Sequence, residues 1–314
     1  MHLAALANLL NALDPGQISN SRFRQRLVSA IARLDVPNTI WRLNPLLLSR
    51  RLYVLLRTRN MSHEGTQNLD DAAVLAFDSL HVIMAEFADI YADWLRGSLS
   101  LTSVPVGMLH ILDELAAWHS NLPHALQLLE NHVMTPRSSK SPLQITLLVH
   151  YLSTKLFALY VLNPDCAIPK DATYPFCHQI SQTICTLINS LGTPEKRNST
   201  HFRGDVGLIL PLSIASMFLH TDADRKWVCH WARQVKHEGM WCGRRRSIIM
   251  EVWGKCQQNS TLMRPVHTMV GPDNINWKPG KRLNVCIMTH GIKESQAKAV
   301  EVYKVSEAEL EAYA

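Results

Sequence analysis

Residues 69–96 read LDDAAVLAFDSLHVIMAEFADIYADWLR, and the fold class turns on that stretch. Ala73, Phe77, Leu80, Met84, Phe87, Tyr91 and Trp94 recur at intervals of four and three, so on a helix they form one stripe. Asp70 and Asp71 fall in the first turn, where the helix dipole favours negative charge. Asn68 precedes them as an N-cap, and Gly97 follows as a C-terminal stop. Asp78, Glu86, Asp89 and Asp93 lie off the stripe. The spacing predicts an amphipathic helix from Leu69 to Arg96 whose apolar side faces a core.

The neighbouring segments repeat the pattern. Upstream, Arg22, Arg24 and Arg26 lead into an apolar run ending at Asp35-Val-Pro37, where Pro37 disfavours helix at Val36 and marks a turn. Asn44-Pro45 marks another, and Leu46 to Leu56 reads as a short helix with Arg50 and Arg51 facing water. Downstream, Val104 to Trp118 carries Met108, Leu112, Leu115 and Trp118 in register and ends at Asn121-Leu-Pro123. Leu143 to Leu162 and Phe176 to Leu191 are two further apolar helices. Past a polar linker at 193–203 and an irregular, Pro-containing stretch at 262–279, the period changes. Leu283, Val285 and Ile287 alternate at strand spacing, Ala297 to Val305 is strand-prone, and 290–296 closes a hairpin. The expected fold is mostly α, an irregular multi-helix bundle with a small C-terminal β-hairpin. The expected organisation is an N-terminal helical segment at 1–20, a helical domain at 21–280, and the hairpin with a short helix at 281–314 packed on it.

Composition narrows the class. With 47% hydrophobic and 18% charged residues in 314, the chain is long enough to bury a substantial core and is not disorder-like. The net charge of +6 is unevenly spread. Residues 1–60 hold nine Arg against Asp14 and Asp35, whereas 61–135 hold Arg96 against ten acids. A basic arm beside an acidic block points to internal pairing rather than to a nucleic-acid partner. Seven cysteines with irregular gaps and no C-x-x-C fit reduced thiols in an intracellular compartment. The apolar start lacks a Lys/Arg n-region, so it reads as a helix rather than a signal peptide. The longest apolar run, Val206 to Leu219, is too short and, with Pro211 inside, too broken to span a bilayer.

That run opens the stretch around which the sequence motifs concentrate, Val206 to Trp253. It continues through Asp222-Ala-Asp-Arg225, a Trp-bearing helical segment closed by Gly239, and a final segment. Met217, Phe218, Trp227, Trp231 and Trp253 are the candidate lining of an apolar ligand pocket, with core packing as the simpler account. Arg244, Arg245 and Arg246 at a helix start are a candidate polar contact, against a solvated first turn. Motifs for chemistry are otherwise missing: there is no phosphate loop, no G-x-S-x-G and no H-E-x-x-H. Cys229, His230, His237 and Cys242 are spaced poorly for one zinc. Cys166, Cys177 and Cys185 with His178 offer a nucleophile and a base, but Cys177 and His178 are neighbours and diverge on a helix. No catalytic residue, cofactor or metal ligand is assigned.

Four places in the chain resemble the regulatory ("fungal-specific transcription factor") domain of fungal zinc binuclear cluster regulators. They are Ala30 to Val36 followed by Trp41; Leu112 to Pro123; Pro211-Leu-Ser-Ile-Ala through Asp222-Ala-Asp-Arg225; and His237-Glu-Gly-Met-Trp241. The likeness spans most of 21–305, and the hairpin fits one branch of the family. It implies a nuclear (alternatively cytoplasmic), non-enzymatic transcription-regulator-like protein, with a role in a secondary-metabolism pathway among those open to it. Its partners would be transcription machinery or other regulators, or a second copy in a homodimer, and no membrane. The family reads DNA through a six-cysteine, two-zinc cluster; here the first cysteine is Cys166. The resemblance therefore implies either a truncated regulator or a member without direct DNA binding. Two alternatives remain: a module binding hydrophobic small molecules, and an enzyme of unrecognised type.

Overall fold

The computed structural model describes residues 2–42, 45–61, 69–96, 98–100, 102–131, 141–163, 166, 171–191, 208–219, 223 and 227, and the strands at 263–270, 283–291 and 297–305. The described chain is mostly helical. It divides into two compact units, Met1–Phe218 and Leu219–Ala314.

The first unit contains α1 (His2–Ala12), α2 (Pro15–Ser19), α3 (Arg22–Arg42), α4 (Arg50–Met61), α5 (Leu69–Leu95), α6 (Ser103–Ser120), α7 (His124–Asn131), α8 (Pro142–Leu162), α9 (Tyr174–Ser190) and α10 (Ile209–Ser216). Helix α5 coincides with the predicted segment to within one residue. Its whole stripe, Ala73, Phe77, Leu80, Met84, Phe87, Tyr91 and Trp94, is buried. It packs against α3, α4, α6 and α8, so its flanks are covered as well as its stripe.

Helix α8 is the second axis. Ser141 opens it with a capping box: its Oγ accepts the Gln144 N–H at 3.3 Å while Gln144 Oε1 accepts the Ser141 N–H at 3.1 Å. Pro142 takes the first helical position, where its missing N–H costs nothing. Lys155 is the one charged residue between 142 and 162, and the helix is buried nearly all round, against α5, α6, α7, α9 and α10. By length and composition alone α8 could cross a membrane, but 83% of its apolar window is buried inside the protein. A helix without a polar face needs such an apolar jacket.

Rings of the two axes interlock. Phe157 of α8 lies 5.0 Å from Phe87 and 4.8 Å from Tyr91, centroid to centroid. Gly107 lets α6 approach closely, since a Cβ there would come within 3.1 Å of Ile90 on α5.

Some expectations need correction. Pro37 does not end α3, which runs through it to Arg42. An interior proline costs about 3 kcal/mol, yet Val36, Asn38, Thr39 and Ile40 around it are all buried, and that burial outweighs the loss. The next helix begins at Arg50 rather than Leu46, because residues 46–49 wrap around a buried carboxylate described below. On α6 the buried register is Val104, Met108, Ile111 and Leu115, with Leu112 half-buried. Helix α7 forms directly after Pro123 and has no counterpart in the sequence reading.

In the second unit the backbone forms β1 (Met263–Val270), β2 (Leu283–Gly291) and β3 (Ala297–Val305), antiparallel in the order β1-β2-β3. Strand β1 lies in the stretch read as irregular. The β1–β2 register slips between Pro265 and His267, a bulge that accommodates a residue without an N–H. A second slip lies at Thr289/His290.

Candidate functional site

Two buried carboxylates organise the first unit, and each is built differently. Asp78 of α5 faces α3. Arg33 Nη2 donates to its Oδ1 at 2.8 Å, Ser29 Oγ donates to the same oxygen, and the pair's side chains are only 11% and 2% exposed. The Arg33 guanidinium also lies over the Phe77 ring, 5.3 Å from its centroid. Two histidines adjoin this pair. His81, one turn on from Phe77, donates from Nδ1 to the Phe77 carbonyl at 2.8 Å, and its ring meets Phe77 edge-on. His150 of α8 lies 5.3 Å from Phe77 and 6.3 Å from His81, ring to ring. Neither nitrogen of His150 has a hydrogen-bond partner among the described residues. Burial, reinforced by the Arg33 charge, pushes His81 down to about 3. Burial first, then His81 and Arg33, push His150 well below the ordinary imidazole range. Both are therefore neutral at physiological pH.

Asp35, near the middle of α3, forms no ion pair among the described residues. Its carboxylate accepts the Leu47 N–H at 2.9 Å on both oxygens, the Leu48 N–H at 3.0 Å and the Tyr53 hydroxyl at 3.1 Å. Asn11 of α1 completes the arrangement, accepting the Ser49 N–H at 2.9 Å and donating to the Leu47 carbonyl at 2.8 Å. Three successive amides just ahead of α4 are thus satisfied by side chains from two other helices, a cap supplied across the tertiary structure. Burial raises the Asp35 carboxyl above its ordinary value, against the pull of the Leu48 and Leu47 amides and the Tyr53 hydroxyl.

The basic arm and acidic block do pair internally. Besides Arg33–Asp78, Arg57 of α4 meets Glu114 of α6 at 2.6 Å, and Arg50 of α4 reaches Asp89 of α5 at 3.8 Å. Three of the arm's arginines thereby join four helices.

Helix α9 holds the end of the first unit. Ser181 Oγ donates to the Ala215 carbonyl at 2.8 Å, Tyr174 Oη to the Phe218 carbonyl at 3.2 Å, and His178 Nδ1 to that same oxygen at 2.8 Å. Tyr174, His178 and Ser181 are spaced by four and three, so one face of α9 satisfies the carbonyls where α10 ends.

The sequence-predicted site residues fall unevenly. Met217 and Phe218 are buried in the first unit, Phe218 with its ring edge-on to Tyr160 of α8 at 6.2 Å. Trp227 belongs to the second unit and is half-buried. Trp231, Trp253, Arg244, Arg245 and Arg246 lie outside the described residues, as do Cys229, His230, His237 and Cys242. Cys177 and His178 do diverge: Cys177 is buried, whereas His178 Nδ1 reaches the Phe218 carbonyl just past α10. Among the described residues no group of three or more His, Cys, Asp or Glu is placed to hold a metal ion.

Sequence reasoning passed over Asp78, His81 and His150 because a helix wheel treats every off-stripe position as solvent. The available signal was α8: a helix with no polar face implies that its neighbours are covered on more than one side. No family model matches this chain, nor does any curated protein or solved structure.

Proposed function

We propose that this chain is a transcription-regulator-like protein built on the helical regulatory domain of the zinc-cluster family, acting in the nucleus through protein contacts or ligand response and catalysing no reaction. On this reading it binds no DNA directly, and the strands at 283–305 are the family's C-terminal hairpin. The observation that carries the reading is the scaffold role of its motif residues. Asp35, from the first motif, anchors the start of α4. Trp118, from the second, donates from Nε1 to Ser79 Oγ at 2.8 Å and to the Ala76 carbonyl at 3.2 Å, joining α6 to α5. Leu122 of that motif is buried next to Pro123, where the chain turns from α6 into α7.

The test is to fuse the full chain to a heterologous DNA-binding domain and measure a reporter carrying that domain's site. A change in transcription that depends on the chain, with nuclear accumulation of the unfused protein, is expected. A folded, expressed fusion that leaves the reporter unchanged overturns the proposal. Binding of the purified chain to duplex DNA with a steep salt dependence overturns its DNA-independent part.

A further inference from the structure

We propose that two copies of this chain associate through the outer face of α6, the two helices antiparallel, with Val106 and Leu109 of each interleaved at the centre. The inference goes beyond the functional reading above and stands whether or not that reading holds.

Helix α6 has apolar residues on two sides. The inner side, Val104, Met108, Ile111 and Leu115, is buried, and the helix packs against α5 and α8. On the opposite side Thr102, Val106, Leu109, Asp113, Ala116 and Ser120 recur at intervals of four and three, so they share one stripe. All six are exposed. Val106 is 68% exposed and Leu109 55%, one turn apart on that line. Exposed apolar side chains scattered singly are ordinary on a protein surface. Two in succession on one stripe form a short seam that a second helix can cover.

The polar groups at the two ends of the seam identify that helix. Asp113, one turn beyond Leu109, joins none of the ion pairs among the described residues. Thr102, one turn before Val106, starts the helix without a side-chain cap, and its hydroxyl lies 3.1 Å from Ser100 Oγ instead. A helix start carries partial positive charge and favours a carboxylate. The stripe therefore runs from an electropositive end through two apolar residues to a carboxylate. Reversed end to end, that order is its own complement, which is what a two-fold contact requires. Antiparallel pairing sets Val106 against the second copy's Leu109 and Asp113 against the second copy's helix start at Thr102, each twice. The register displaced by seven residues sets Val106 against Ala116 and lays the Asp113 carboxylate on Leu109, so charge selects the first. The contact is a single crossing of two helices, smaller than the roughly 1,200–2,000 Å² of stable complexes, and the dimer is accordingly weak and concentration-dependent.

The experiment is sedimentation equilibrium of the full chain in reducing buffer. Between about 5 and 200 μM the average mass is expected to rise from monomer toward dimer. Val106→Lys and Leu109→Glu, each at an exposed position where the melting temperature should not change, should each weaken association by about tenfold or more. Mixing those two variants should restore it, because the new cation of one chain then faces the new carboxylate of the other. Asp113→Lys should weaken it by about fivefold, and by less in high salt. An unaltered chain that stays monomeric across the range leaves this face to some other partner and overturns the inference. So does undiminished dimerisation of Leu109→Glu, or a mixture no better than its components. The first readout uses the unaltered protein, so a folding defect in a variant does not rescue the idea.

Discussion

Asp35 and Asp78 are both buried carboxylates that tie α3 to a neighbour, one to the start of α4 and the other to α5, and they are held by opposite means. Asp78 meets a full counter-charge, Arg33, with Ser29 on the same oxygen. Among the described residues Asp35 meets dipoles, two amides and a phenol. The difference matches their tasks. Asp78 joins two regular helices, whose backbones have no free N–H groups to offer, so a side-chain cation is required. Asp35 faces the open start of α4, where unpaired amides are abundant. The cost also differs, because dipoles compensate desolvation less completely than a cation does, and the Asp35 carboxyl is accordingly raised.

Breaking the ion pair should produce the largest effect. Asp78→Ala leaves Arg33 buried without its carboxylate and is expected to cost about 3–5 kcal/mol in urea unfolding. Replacing both, as Arg33→Met with Asp78→Leu, should recover most of that loss. A double variant no better than the single would mean that the charges themselves are needed.

Breaking the dipole cage should cost less. Asp35→Ala strands the Leu47 and Leu48 amides and the Tyr53 hydroxyl, at about 2–3 kcal/mol. Hydrogen exchange at Leu47 and Leu48 should accelerate while α5 and α8 stay protected; uniform acceleration would show that the cage is not a local device.

The two regions also bend stability with pH in opposite directions. His81 has a folded value of about 3 against an ordinary 6.5, so its neutral form contributes fully above 6.5. That contribution is lost as pH falls from 6.5 toward 3, at up to about 1.4 kcal/mol per pH unit. Asp35 is raised in the fold, so it penalises folding as pH climbs past the ordinary 3.8. His81→Gln should make the acid limb below 6.5 shallower, with His150 still contributing to it, whereas Asp35→Asn should leave that limb and remove the opposing slope near 4. An unchanged acid limb in His81→Gln would place the titration elsewhere.

The exposed pairs set the lower end of the scale. Arg57→Ala, whose side chain is more than half exposed, should change stability by less than about 1 kcal/mol, and less still in high salt. A larger loss would mean that the α4–α6 contact is energetically closer to the buried pair than its exposure suggests.

The helical architecture was legible in its long segments, while the short α7 was missed. Helix α5 was readable from its stripe to within a residue, and α9 from Ile180, Ile184 and Leu187, all of which are buried. The uneven charge of 1–60 against 61–135 announced internal pairing. It did not announce which arginine meets which acid, because partners 45 and 57 residues apart are chosen by helix packing. Pro37 was misread for a similar reason: local stereochemistry argues for a break, and only the burial around it argues otherwise.

By itself the sequence determined where the long helices α5, α8 and α9 run, which stripe of α5 is apolar, and that charge would be matched within the chain. These are nearest-neighbour properties, set by periodicity, caps and composition. Tertiary structure alone decided that Asp35, Asp78, His81 and His150 lie inside. A residue's burial depends on how many sides of its helix are covered, and that is a property of the neighbours rather than of the helix itself.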